Sequence, residues 1–352
     1  MTDPSKRIVI LYTELAGYTM ACIKALSAAG HTVTVVHWPV NAEAPFQLRP
    51  VSGVTFIERN TKDDTQVSRL IQEAEPDLIV CSGWMDKRYV KALYSYKGKA
   101  KTILAMDTQW TGAIKQRLMT VLGRLFFKQI FSHAWVAGER QKQYAIKLGC
   151  AAEHVKTGFY SADTDLYEEI YQARRLRQSP VAAPSFLYVG RYVQHKGVQD
   201  LCAAFAESKK RLPSDWKLVC VGTGEQFEER YIHQDIEHMG FKQPAEMAAY
   251  IEVASVFVLP SHFEPWGVVV HEMAQAGLPL ILSDKIGGAE QFLVAGQNGY
   301  SFESGNIGEL SQMLLKMMQH SDEELARMGE HSRKQAAMQS PEIWVETLLG
   351  FA

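Results

Sequence analysis

The chain has 352 residues, 47% hydrophobic and 22% charged, with a formal net charge of −2. That length suits two domains with separate cores, and the composition excludes disordered and fibrous classes. No stretch reaches the roughly 18 apolar residues needed to cross a bilayer, because charges interrupt every candidate. Lys6 and Arg7 lead directly into an apolar run, which leaves no room for a signal peptide, so the expected location is the cytoplasm. Cys22, Cys81, Cys150, Cys202 and Cys220 are odd in number and lack a Cys-x-x-Cys pair, and they read as buried thiols rather than disulfides or zinc ligands. Charge is unevenly spread: residues 1–160 carry 21 Lys and Arg against 13 Asp and Glu, and residues 161–352 carry 16 against 26. A basic first half points to an anionic partner or surface there, or to attraction between the two halves.

Apolar runs of strand length recur between helix-length segments, as expected for parallel strands buried on both faces. In the first half they are 8–11, 32–37, 78–81, 102–106 and 134–136, with a helix over 19–29 completing one βαβ unit. The stretch 168–185 loses strand character and contains Pro180, Ala182, Ala183 and Pro184, the composition of a linker. Strands resume at 186–189, 218–221, 256–259 and 280–282, with helices near 198–210, 244–252, 268–276, 307–319 and 322–338. After Pro341 a last helix offers Ile343, Trp344, Thr347 and Leu348 for one buried face. The expected division is 1–168 for the first domain, 169–184 for the linker and 185–338 for the second domain, with 339–352 packing back on the first. Both domains are expected to be doubly wound, Rossmann-like α/β sheets with ligands at the carboxyl ends of their strands, in the cleft between them.

The chemistry concentrates in the second half. Strand 256–259 runs into Pro-Ser-His-Phe-Glu-Pro-Trp-Gly and then a helix, so Glu264 stands in a loop at a strand's carboxyl end and Glu272 inside the helix. Gly267, Val268 and Val269 form the first helical turn, where free N–H groups and the helix dipole favour a phosphate. A side chain at position 267 would hinder a ligand's approach to that backbone. Strand 186–189 is followed by Gly190-Arg191-Tyr192-Val193-Gln194-His195-Lys196-Gly197, which places Arg191 and Lys196 five residues apart in one loop. Two cations there would hold a diphosphate and stabilise it as a leaving group. His262 and His271 lie nine residues apart with no third group at ligand spacing, so no metal is expected.

Gly190-Arg191 with Lys196-Gly197, Glu264-x7-Glu272 enclosing Pro-Trp-Gly, and Ala274-x2-Gly277-x-Pro279 together resemble family 4 of the retaining glycosyltransferases, which have the GT-B fold. The similarity covers most of 186–335 and is thinner before it. The resemblance implies that Arg191 and Lys196 bind the donor diphosphate, that Glu272 holds the ribose hydroxyls, and that Glu264 meets the sugar hydroxyls. It further implies donor contacts at Trp266, Gly267, Val268 and Val269, and at Gly222 and Gly224 in the turn after strand 218–221. In the first half, Gly17 is similar to the family's glycine loop, with one glycine where two are common. It is also readable as a simple turn residue. Asp107 stands where relatives place a group near the reacting sugar carbon, or is the N-cap acid of a helix. Residues 160–165 occupy the place of the family's Asn-Gly-Val-Asp turn, with serine in place of glycine.

The implied reaction is transfer with retention from a nucleoside diphosphate sugar, UDP foremost, to a hydroxyl acceptor in polysaccharide, lipopolysaccharide or glycolipid synthesis. It requires no cofactor, and nucleic acid is not an expected partner. The acceptor is a glycan, a lipid-linked group or a small molecule. Over 111–131, Arg117, Arg124 and Lys128 fall on one stripe, suited to an anionic membrane face or to solvent, whereas Leu118, Leu122, Leu125 and Phe126 are expected to pack into the core. A nucleotide-sugar epimerase or hydrolase, or a non-catalytic nucleotide-sugar binder, remains the alternative. A dinucleotide oxidoreductase is disfavoured because no G-x-G-x-x-G follows the first strand.

Overall fold

The computed structural model describes residues 5–39, 48–60, 63, 65–176 and 183–352. The chain divides into two compact units, Met1–Ser161 with Gln339–Ala352, and Ala162–Met338.

In the first unit, chain order runs β1 (Arg7–Tyr12), α1 (Gly17–Ala28), β2 (Thr32–His37), β3 (Val54–Glu58), α2 (Gln66–Ala74), β4 (Leu78–Ser82), α3 (Lys87–Tyr94), β5 (Lys101–Met106), α4 (Ile114–Ile130), β6 (His133–Val136), α5 (Glu139–Lys147) and β7 (Val155–Lys156). Among the described residues these strands form one parallel sheet in the order β3-β2-β1-β4-β5-β6-β7. Val-, Ile- and Leu-rich β1 pairs in parallel with β2, from Arg7 opposite Thr32 to Tyr12 opposite His37, and with β4 on its other side. Its residues Ile8 to Leu11 are shut away from water by helices on both faces, the condition that demands an unbroken apolar run.

The second unit contains α6 (Thr164–Leu176), β8 (Ser185–Val189), α7 (Val198–Arg211), β9 (Lys217–Val221), β10 (Ile236–His238), α8 (Pro244–Val253), β11 (Val256–Leu259), α9 (Val268–Gln275), β12 (Leu280–Ser283), α10 (Ala289–Phe292), β13 (Gly299–Phe302), α11 (Ile307–Met318) and α12 (Asp322–Ala336). Its parallel sheet has the order β10-β9-β8-β11-β12-β13. Both sheets therefore reverse direction beside their first strand, between β1 and β4 and between β8 and β11, where doubly wound sheets open a crevice for ligands. Strands β3, β7, β10 and β13, which carry no long apolar run, are the four sheet edges.

The stretch expected to start the linker is structured. Helix α6 buries Tyr167, Ile170 and Tyr171, an i, i+3, i+4 stripe, and Arg333 holds Glu168 through a two-pronged ion pair. Pro180 and Ala182 of the expected linker lie outside the described residues.

Helix α13 (Pro341–Leu349) belongs to the first unit. The Ser340 hydroxyl caps it by accepting from the Ile343 N–H at 3.2 Å, and Pro341 takes a first-turn position that needs no donor. Trp344 is buried, donates to the Phe159 carbonyl at 2.7 Å and packs against Trp135 with ring centroids 4.6 Å apart.

The apolar face of α4 corrects an expectation. Leu118, Leu122, Leu125 and Phe126 are exposed, and the helix is seated by Gly123, Phe127 and Ile130 instead. A Cβ on Gly123 would stand 3.1 Å from Leu148, so the small residue lets α4 lie close to the unit on this narrow strip. The opposite face is left uncovered.

Candidate functional site

In the second unit the loops after β8 and β11 meet at the sheet's reversal point. The loop after β8 turns through a short 3₁₀ segment, Gln194–Lys196, and Gly197 starts α7. A Cβ at Gly197 would lie 2.5 Å from the Pro260 carbonyl oxygen, so this loop and the one after β11 run in backbone contact. The His262 N–H donates to the His195 carbonyl at 2.7 Å, and a His262 ring nitrogen pairs with Asp200 at 2.7 Å.

This clamp brings two expected residues together directly. The Lys196 ammonium forms an ion pair with the Glu264 carboxylate, their side chains only 15% and 13% exposed. Glu264 is fixed in turn by its backbone, which bridges to Ile286 and accepts from Gly287 at 3.0 Å. Arg191 is positioned from behind, because the buried Tyr188 hydroxyl donates to its carbonyl at 2.8 Å. His195 is held below its ordinary pKa, first by burial and then by Lys196 and Arg191.

Gly267 precedes α9 with φ of +83°, a left-handed turn that a side chain would strain, and a Cβ there would stand 2.9 Å from Glu264 Cγ. It thus gives Glu264 room at the start of α9, whose first turn holds the partly buried Val268 and Val269. The Trp266 ring is buried edge-on to Phe292, so this residue anchors the loop and has only its backbone to offer a donor. Gly222 and Gly224 serve the packing of loop on loop: a Cβ on Gly222 would fall 1.9 Å from the Gly190 oxygen, and one on Gly224 2.7 Å from the Tyr192 oxygen.

Glu272 lies one turn into α9. Burial pushes its carboxyl up to about 7, the nearby Asp163 adds to the rise, and a hydrogen bond from the Tyr167 hydroxyl opposes it. Asp163 belongs to the 160–165 turn legible in the sequence, but its approach to Glu272 and the role of Tyr167 are not, since nothing in their local pattern announces a partner more than a hundred residues away. The folded protein holds this proton more tightly than the unfolded chain does. The stabilising contribution is therefore full below the ordinary value of 4.5 and is lost as pH rises through about 7. Glu272→Gln is expected to remove that dependence and to stabilise the second unit at pH 8 by roughly 2 kcal/mol, with little effect near pH 5. Thermal melts of both proteins across this range check it; parallel profiles would assign the dependence to other groups.

His271, considered in the sequence as a metal ligand, has both ring nitrogens engaged, one with the Ala162 N–H at 2.9 Å and one with the Ala336 carbonyl at 3.0 Å. It is a structural tie between the segment leading into α6, helix α9 and the end of α12.

In the first unit, Gly17 opens α1 and Asp107 follows β5. Asp107 is not a helix cap, because α4 begins at Ile114 with Ala113 as its cap. It accepts instead from the Tyr160 hydroxyl at 3.3 Å, and the Tyr160 ring stands edge-on to Tyr18, the residue after Gly17, at 5.6 Å. Tyr160 thus joins the two expected positions of this unit, which sequence spacing alone does not reveal. Burial, then the Asp107 charge, holds its hydroxyl protonated as a donor.

Residues 172–335 match the family Glycosyl transferases group 1. Glycogen synthase of Mycobacterium tuberculosis is 35% identical over 149 residues, which are 40% of this chain and 34% of that protein. The chain thus spans about a third of the length of that relative. Lipopolysaccharide 1,6-galactosyltransferase of Escherichia coli is 24% identical over 73% of this chain and 70% of its own. Among solved structures, Anabaena HepE, in complex with UDP and glucose, superposes with a TM-score of 0.73 at 15% identity over 98% of each chain. The two parallel-sheet units and this likeness show the GT-B fold, and the matched segment is similar to the glycosyl transferases of group 1.

Proposed function

We propose, from the glycosyltransferase group 1 segment and the GT-B fold that carries it, that the protein is a retaining glycosyltransferase. It moves a sugar from a nucleoside diphosphate sugar to a hydroxyl acceptor in the synthesis of a cell-surface polysaccharide, lipopolysaccharide or glycolipid. The observation that carries this reading is the Lys196–Glu264 pair at the reversal point of the second sheet, beside Arg191 and the N-terminal turn of α9. UDP is the favoured nucleotide, supported by the complex of the Anabaena protein with UDP and glucose.

In this reading Arg191, Lys196 and the α9 amides hold the diphosphate and take up the negative charge that grows on it as the glycosidic bond breaks. Glu264 aims Lys196 and accepts from the sugar hydroxyls. Glu272 accepts from the ribose hydroxyls in its ionised form, which its pKa of about 7 makes available only from neutral pH upward. The leaving phosphate takes the acceptor's proton on the face from which it departs, so the anomeric configuration is kept. Asp107, with Tyr160, is the group of the first unit proposed to act at the sugar.

Titration with NAD and with UDP-, GDP- and ADP-sugars, followed by turnover with a panel of glycan and lipid-linked acceptors, tests it. Binding of a UDP-sugar but not of NAD, with acceptor-dependent release of UDP, is the expected result. Sugar release that ignores the acceptor would identify a hydrolase, and tight binding without turnover a nucleotide-sugar binder.

A further inference from the structure

Helix α4 presents its apolar side to water. Ile114, Leu118, Val121, Leu122, Leu125 and Phe126 are all exposed, Ile114 by 86% and Leu125 by 79%. At 100° per residue they cover one arc of the helix, centred opposite the strip of Gly123, Phe127 and Ile130 that seats it. Six large side chains contiguous on one face differ from the isolated exposed apolar residues common on any surface. The helix is firmly held on its other side, where Phe127 packs edge-on to Trp84 at 4.9 Å. Met85, the residue after Trp84, extends the exposed apolar surface at 79% exposure.

Charge identifies what covers this face. Arg117, Arg124 and Lys128 flank the apolar arc along one side, and Lys115 adds a fourth cation in the first turn, all exposed. Neighbouring α3 adds Lys87, Arg88 and Lys91, and neither helix contains an Asp or Glu. A second copy of the chain seated face to face would bring these like charges together around its rim. A surface of acyl chains beneath anionic headgroups instead buries the apolar arc and pairs with the cations at its edges.

We propose that α4 is a docking helix that lies in the plane of an anionic phospholipid surface, with Leu118, Leu122 and Leu125 inserted among the acyl chains and its flanking cations on the headgroups. This surface belongs to the first unit and the Lys196–Glu264 pair to the second, and its test uses neither donor nor acceptor. The full chain is sedimented with vesicles of phosphatidylcholine containing about one quarter phosphatidylglycerol, and with vesicles of phosphatidylcholine alone, at about 0.1 M salt. The expected result is binding to the anionic vesicles that weakens at least tenfold without phosphatidylglycerol, and that falls with added salt. The double variant Leu118→Glu/Leu125→Glu is expected to weaken it at least tenfold as well, with an unchanged melting temperature because both side chains are already in water. Absent binding, equal binding to neutral vesicles, or full binding by the double variant overturns the proposal. So does a dimer, seen by sedimentation equilibrium and dissolved by the double variant, in a protein that ignores vesicles.

Discussion

Lys196→Ala is expected to lower the rate of sugar transfer by about 10²- to 10³-fold, the usual loss when one preorganised charge is withdrawn from a developing anion. The same substitution leaves Glu264 in a largely buried site without its cation. Removing one partner of a buried pair costs more than the pair itself contributes, because the remaining charge is stranded. The second unit should therefore also lose about 2 kcal/mol of stability, a discounted figure because both side chains keep some access to water. The double variant Lys196→Ala/Glu264→Gln separates the two effects. It should recover most of the melting temperature and none of the activity. Single-turnover rates with saturating donor, beside thermal melts, read both; wild-type turnover by Lys196→Ala would remove the lysine from the mechanism.

Gly222→Ala should be the most damaging of the small substitutions in the second unit. Its Cβ would fall 1.9 Å from the Gly190 oxygen, a backbone atom that no rotamer change can move, at a residue with φ of +140°. Strain and overpacking together are expected to cost about 3 kcal/mol or more. For a unit of this size that lowers the melting temperature by roughly 10 °C. Relief can come only by parting the loop after β9 from the loop after β8, and the latter carries Arg191 and Lys196. Donor affinity should therefore fall along with stability, although position 222 lies outside the Lys196–Glu264 pair. A variant that melts like the wild type would show that the loops have room to separate.

Among the described residues the nine interior strands, β1, β2, β4, β5 and β6 in one sheet and β8, β9, β11 and β12 in the other, are legible in the sequence. Covered on both faces, these strands write their burial as unbroken apolar runs. The edges β3, β7, β10 and β13 are not legible there, because their half-covered residues leave no such run; β3 has no fully buried residue. The same logic explains α4. An apolar helical stripe states that a face avoids water but not what covers it, and only the structure shows the core on the other side. At the site, Lys196 and Glu264 were legible as separate loop residues near strand ends. Their pairing was not, because 68 residues separate them and Gly197 sets the approach of their loops. Tyr188, Tyr160 and Tyr167 stayed hidden for a related reason. Each acts through one hydroxyl, Tyr188 on the Arg191 carbonyl and the other two on carboxylates far along the chain, and a tyrosine in an apolar segment reads as core whether or not it does so.

Helix α13 has a consequence for how the molecule is made. The first unit is assembled from residues on both sides of Ala162–Met338, so the ribosome completes the second unit while the first still lacks Trp344. At roughly 5–20 residues per second, that interval lasts on the order of ten to thirty seconds. Throughout it, the Trp135 and Phe159 surface waits uncovered, and its protection from chaperones, proteases and neighbouring nascent chains depends on how quickly the second unit is translated and α13 follows.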